Sequence, residues 1–166
     1  MLPKILKNFT LFVDGVNHAG KIDEIELPKI TEATEEHRAG GMDAPVEIGM
    51  GLEALTAAMT FAEYDAALFA HFGLVTGEDV SVVARGAQSD GGETQAIVVE
   101  MRGRWKELDP GTWKRGDKAV LKVAVSIRYL KYTIDGTDVV EIDTENLVRK
   151  IGGIDQMQAI RTALGG

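Results

Sequence analysis

Residues 118–134 alternate between apolar and polar almost without interruption. Ala119, Leu121, Val123, Val125, Ile127 and Tyr129 fall on one side, and Lys122, Ser126 and Arg128 on the other. A period of two marks an extended strand with one covered and one wet face. Residues 94–108 repeat the pattern, with Ile97, Val99, Met101 and Trp105 opposite Glu100, Arg102, Arg104 and Lys106. Both runs exceed the usual strand of ~5–6 residues. Strands that long project beyond a small sandwich or join a larger sheet. Exposed strand edges invite pairing with another chain, and a closed ring of subunits would satisfy them. A twisted hairpin within a monomer accounts for the pattern equally well.

The remaining segments read mainly as strands and turns. Residues 9–13 are β-rich and end at Asp14-Gly15, a strong hairpin-turn signal, and Asp135-Gly136 repeats it between 118–134 and a returning strand at 139–142. Pro28 closes the mixed segment 21–27, and the polar run 31–38 extends as an exposed strand. Residues 39–45, with two glycines and Pro45, form a loop. Val46, Ile48 and Met50 alternate, as do Leu55, Ala57, Met59 and Phe61, although the alanines of the latter also suit a helix. Residues 80–84 read as a strand and 88–93 as a turn cluster. The spacing predicts one internal helix from Tyr64 to Leu74, with Gly73 as its stop, and a C-terminal amphipathic helix over 154–164 carrying Ile154, Met157, Ile160 and Leu164. Asp155 would complement the dipole of that last helix. The 19 glycines exceed the roughly 7% of an average chain, which suits many tight turns and little helix. No linker or low-complexity tract divides residues 1–166, so one domain is expected.

A net charge of −8 disfavours contact with phosphate backbones and anionic membranes. There are no cysteines, which excludes disulfides and thiolate chemistry. Lys4 and Lys7 precede an apolar run too short for a signal sequence, and no stretch is long enough for a spanning helix, so cytoplasmic synthesis without membrane anchoring is expected. His18, His37 and His71 lie far apart in sequence with no partner at metal-ligand spacing. Glu141 and Asp143 share one side of a strand, where acid pairs either do acid–base work or simply face solvent. Gly40-Gly41 and Gly152-Gly153 lack the strand–loop–helix setting and lysine of a phosphate cradle, and Gly165-Gly166 directly follows a helix, where glycine is the normal stop. No catalytic, cofactor or metal residue is assigned.

Several segments together resemble the major tail tube protein of contractile-tailed phages, the family that includes the tube subunit of R-type pyocins and phage-tail-like bacteriocins. They are Leu-Phe-Val-Asp-Gly at 11–15, Leu-Pro-Lys at 27–29, Ala-Gly-Gly-Met-Asp-Ala-Pro-Val at 39–46 and Gly-Leu-Glu-Ala-Leu at 51–55. Met-Arg-Gly-Arg-Trp-Lys-Glu-Leu-Asp-Pro-Gly follows at 101–111. Asp135-Gly136 leading to Glu141, Asp143 and Asn146, then Gly-Ile-Asp-Gln at 153–156, complete the set. The segments keep the family's order over nearly the whole chain.

The resemblance implies a mainly β fold of two packed antiparallel sheets, a tail-tube-like barrel or sandwich with one internal helix and a C-terminal helix. It implies six subunits closing into a ring around a channel for DNA or ions, rings stacked inside a contractile sheath, and no catalytic residues or cofactors. The implied partners are further copies of the chain, the sheath protein, a baseplate or tail initiator, the tape measure protein and, in a phage, the passing genome. The location would be the virion tail or a phage-tail-like particle. Gly40, Gly41, Met42, Asp43, Ala44 and Pro45 are the candidate ring-to-ring contact, and Glu47, Glu53, Glu100, Arg102, Lys122 and Arg128 the candidate channel wall. An acidic wall would repel DNA and let it pass. Two other readings stand beside this one: a monomeric β-barrel binding a small ligand in an apolar pocket, and an enzyme using Glu141 and Asp143.

Overall fold

The computed structural model describes residues 2–73 and 79–166. In chain order it contains β1 (Ile5–Val13), β2 (Val16–Asn17), β3 (Ile22–Glu26), β4 (Glu32–His37), β5 (Val46–Leu52), β6 (Leu55–Phe61), α1 (Ala66–Phe69) and β7 (Val80–Ser89). β8 (Thr94–Asp109), β9 (Leu121–Ile134), β10 (Thr137–Asp143), β11 (Val148–Ile151), β12 (Ile154–Asp155) and α2 (Gln158–Ala163) follow.

The two long alternating runs become β8 and β9, paired antiparallel from Ile97↔Ile134 to Asp109↔Lys122. Around them the sheet runs β12-β11-β10-β9-β8-β7-β1-β2. The far edge of β9 is divided between two partners. Its first half pairs with β6, from Leu55↔Ile127 to Phe61↔Leu121, and its second half with β10. β3 pairs in turn with β6. The sheet therefore forks at β9, and the β3–β6 branch lies over β1, β7 and β8 as a second layer. Between the layers sit Leu11, Met59, Phe61, Met101, Trp105 and Leu121, all nearly or fully buried. Every strand pairing is antiparallel and the layers pack as the sequence implied, but a single chain forms an open sandwich, not a closed barrel.

Both Asp-Gly turns form as expected. Asp14 and Gly15 (φ 49° and 81°) and Asp135 and Gly136 (φ 50° and 79°) all adopt positive φ, the geometry whose twist matches a two-residue hairpin. The Leu55, Ala57, Met59, Phe61 face is buried as its alternation indicated.

Four details differ from the sequence reading. First, 118–120 stay unpaired, and the apolar face of β9 ends at Ile127. The register shifts there: Ile127 pairs with Gly103 and Tyr129 with Arg102, leaving Arg128 as an extra residue. The bulge inverts the alternation. Leu130 enters the core, and Tyr129 turns to the outer face beneath the Arg102 guanidinium, 4.2 Å from its ring centre. Gly103 permits this close approach. A β-carbon there would stand 2.8 Å from the Ser126 carbonyl carbon and 2.9 Å from Ile127 Cα.

Second, the expected internal helix shrinks to the four residues of α1. Asp65 caps it by accepting from the Ala67 N–H, and only Leu68 is buried. The chain then turns so that Phe72 bridges Trp105 and the Gly73 N–H (φ 58°) donates to the Trp105 carbonyl. Leu74 lies outside the described residues. Third, Ile154 and Asp155 belong to a strand, because Gly152 and Gly153 (φ 60° and 84°) turn the chain back against β11. α2 spans only six residues and buries none of them. Asp155 acts ahead of it, accepting from the Met157 N–H and from Arg161 at 2.7 Å, which holds its carboxyl below the usual range. Fourth, β7 continues to Ser89 instead of ending at Ala84. The strand read at Val46, Ile48 and Met50 forms as β5, and these side chains are exposed because β4 and β5 form a separate two-stranded hairpin.

Candidate assembly surfaces

That hairpin is an arm. It pairs only with itself, in a register placing Glu36 opposite Glu47 and Glu35 opposite Ile48. Its tip is the candidate contact loop. Gly40, Asp43, Ala44 and Pro45 are exposed, Gly41 turns at φ 86°, and Met42 folds inward so that its sulfur accepts from the Ala39 N–H at 3.2 Å. At the base, the Glu53 N–H donates to the Thr31 carbonyl at 2.8 Å.

Strand edges are the second surface. β2 covers only Phe12 and Val13 of β1, and β3 has β6 as its sole partner among the described residues. Between these two edges opens a cleft of about 320 Å³, lined by Leu6, Phe9, Ile25, Leu27, Ile97 and Val99 among others.

The polar face of β8 and β9 is the third. Residues paired across the strands share a face, so Glu100 (opposite Lys131) and Arg102 (opposite Tyr129) lie near one another, with Lys122 (opposite Asp109) on the same face at the far end of the strand pair. Arg128, at the bulge, reaches Asp79 at 3.5 Å and Glu145 at 3.2 Å. Glu47 and Glu53 are not on this face: one is on the arm and the other at its base. The Tyr129 hydroxyl donates to Glu141 at 2.9 Å, and loss of hydration, then that bond, pushes the phenol up to about 12.

The acid pair is thereby divided. Glu141 accepts from Tyr129, while Asp143 accepts from the Asn146 backbone and side chain at 3.2 and 2.7 Å. No cluster of three or more potential metal ligands exists among the described residues. His18 is buried edge-on to Phe61 and its pKa is lowered, chiefly by that burial; His71 packs on Trp105; His37 is on the arm.

Sequence reading passed over Trp113. Its ring is 79% exposed, yet its indole N–H donates to the Tyr64 hydroxyl at 3.0 Å. That hydroxyl donates in turn to the Pro110 carbonyl. A tryptophan followed directly by Lys114 and Arg115 was the available signal.

Open edges and an uncovered arm define a class first: an antiparallel β-sheet protein whose edges remain available for pairing. Comparison with known proteins gives the family. The phage tail tube protein FII family matches residues 3–165. The tail tube protein of Escherichia phage P2 is 35% identical over 170 residues, spanning 99% of this chain and 98% of that protein. The major tail tube protein of Serratia phage KSP20 is 38% identical over 154 residues, spanning 92% and 90%. The chain belongs to the phage tail tube protein FII family, and is a structural component of a phage tail or phage-tail-like particle, not an enzyme. Solved structures agree on the fold. One is from the sheath–tube complex of an extracellular contractile injection system in its extended state (TM-score 0.62, 13% identity, covering 79% of this chain and 91% of that one). Another is from the tube-terminating cap of the anti-feeding prophage (TM-score 0.64, 11% identity, 80% and 92%).

Proposed function

We propose that six copies close into a ring and that rings stack as the inner tube of a contractile tail, enclosing a channel for DNA or ions. One observation carries this reading: the sheet ends in open edges on both sides, which copies of the same chain can satisfy by pairing. The polar face with Glu100, Arg102 and Lys122, flanked by Arg128, supplies the channel wall, and the tip loop 39–45 supplies ring-to-ring contact. The tail sheath covers the outside, a baseplate initiator nucleates the first ring, and the tape measure protein and any genome occupy the lumen. The sheath–tube complex among the structural neighbours supports the sheath as partner.

The apolar cleft of about 320 Å³ favours a second reading, a monomer that holds a small ligand. Electron microscopy of concentrated protein separates the two. Hollow rings and tubes are expected, and Met42→Asp should leave rings but shorten or abolish tubes. Dispersed particles that remain so beside a baseplate template would favour the monomer, and unchanged tubes from the variant would remove the tip loop from the contact.

A further inference from the structure

The arm is the most acidic part of the chain. Between Thr31 and Glu53 lie Glu32, Glu35, Glu36, Asp43, Glu47 and Glu53 against Arg38 alone, a net −5 of the whole chain's −8. Glu36 and Glu47 face each other directly, an arrangement that destabilises a strand pair, and no described cation bridges them. Val46, Ile48 and Met50 stand exposed on the opposite face of β5. The hairpin thus carries uncompensated negative charge on one face and uncovered apolar surface on the other.

The complementary surface is the loop between β8 and β9. Lys114, Arg115 and Lys118 against Asp117 give residues 110–118 a net +2 in an acidic protein. Lys114 and Arg115 make no ion pair among the described residues. Between them and the body stands Trp113, mostly exposed but held by Tyr64. A fixed, exposed tryptophan beside arginine has the composition of an interface anchor, and methionine makes favourable contacts with aromatic rings.

These surfaces lie at opposite ends of one strand pair. The arm joins the sheet beside Leu55, which pairs with Ile127; the basic loop enters at Leu121, which pairs with Phe61. Six strand steps of about 3.4 Å, roughly 20 Å, separate the two points. Two unlike, complementary patches at opposite ends of a subunit make a head-to-tail contact, the kind that propagates into an open stack and does not close as a dimer.

We infer that the loop bearing Trp113, Lys114 and Arg115 receives the acidic arm of a second copy of this chain. The loop straddles the arm at β5: the cations bridge the Glu36–Glu47 pair on one face, and the indole covers the apolar face on the other. This rests on the ring stacking proposed above and assigns Glu47 to the contact in place of the channel wall.

The test is charge exchange in the full chain, read by pelleting and electron microscopy. K114E/R115E and E36K/E47K should each raise the concentration needed for tubes by about tenfold at 0.1 M salt, where screening leaves contacts shorter than ~10 Å effective. Rings should persist. The four-fold variant should return to within about threefold of the parent, since it restores opposite charges. Assembly should also shift tryptophan emission to the blue, because Trp105 is already buried and only Trp113 can change. Parental tube formation by K114E/R115E, or failure of the exchange to rescue two folded single-surface variants, would overturn the inference. So would quenching of Trp113 by single-stranded DNA without any shift on assembly, which would assign the loop to nucleic acid. Parental rings that never stack, even on a preformed tube end, would instead remove the stacking reading itself.

Discussion

Gly103→Ala is the smallest substitution with a large expected effect on the fold. Gly103 sits at the bulge where β8 and β9 approach, opposite Ile127. An added β-carbon would lie 2.8 Å from the Ser126 carbonyl carbon and 2.9 Å from Ile127 Cα. Comfortable carbon contacts are ~3.5–4.0 Å, and the Ser126 carbonyl oxygen stands nearer still, so the strands must part by about an ångström or more. Both obstructing groups are backbone and cannot rotate away. Overpacking costs about 1–3 kcal/mol, and the rigidity of this site puts it near the upper end. Replacing glycine also lowers unfolded-chain entropy, which offsets about 0.4–1 kcal/mol. A net loss of about 2 kcal/mol follows, which for a chain of this size lowers Tm by about 4–8 °C. Gly40→Ala is the control, because its β-carbon meets nothing within 4 Å. Calorimetry or circular dichroism on the two variants decides the matter. Equal Tm values would show that the bulge tolerates a side chain and would refute the close-approach account of Gly103.

Two expectations concern pH. Burial lowers the His18 pKa, with Asp65 opposing and Lys21 and His71 reinforcing; the unfolded chain therefore takes up a proton near about 6.5 that the native state resists. Stability should be level above that pH and fall as pH drops below it, and His18→Gln should flatten this part of a Tm–pH curve whatever its offset; an unchanged slope would sink the assignment. The Tyr129 phenol, pushed up to about 12, stays protonated while unfolded tyrosine ionises near about 10. Stability should therefore decline as pH rises from about 10 toward 12. The urea midpoint of Tyr129→Phe should fall less than the parent's between about pH 9 and 11, and matching declines would exclude this phenol as the cause.

What could be read from the sequence was whatever is written locally. The Asp-Gly pairs announced both tight hairpins, since few other residues accept the required φ, and alternation assigned the buried faces of β6 and β8. The same alternation failed at Tyr129, because a bulge is set by the partner strand: Arg128 is extra only relative to Arg102 and Gly103. At Val46, Ile48 and Met50 it gave the strand, but period two reports which side chains share a face and not whether anything covers them. The apolar spacing of 154–164 fitted a helix, yet two glycines committed Ile154 and Asp155 to a strand before the helix could start. Among the candidate wall residues, Glu100, Arg102 and Lys122 shared a face because they belong to one sheet. Glu47 and Glu53 did not, because nothing local told the core sheet from the detached arm.

The detachment of the β4–β5 hairpin also bears on timing. A two-stranded hairpin with no third strand is marginal in water, so its amides should exchange early and a protease should find it before the sandwich. Covering by another surface would hold its two strands, so under the proposed stacking a joining subunit would fix the arm at the moment of contact. Two free subunits would each bear that entropic cost without a prepared surface to meet, whereas an end already in place would present one. Under the stacking proposed above, such an arm would brake spontaneous polymerisation and let monomer accumulate until a template appears.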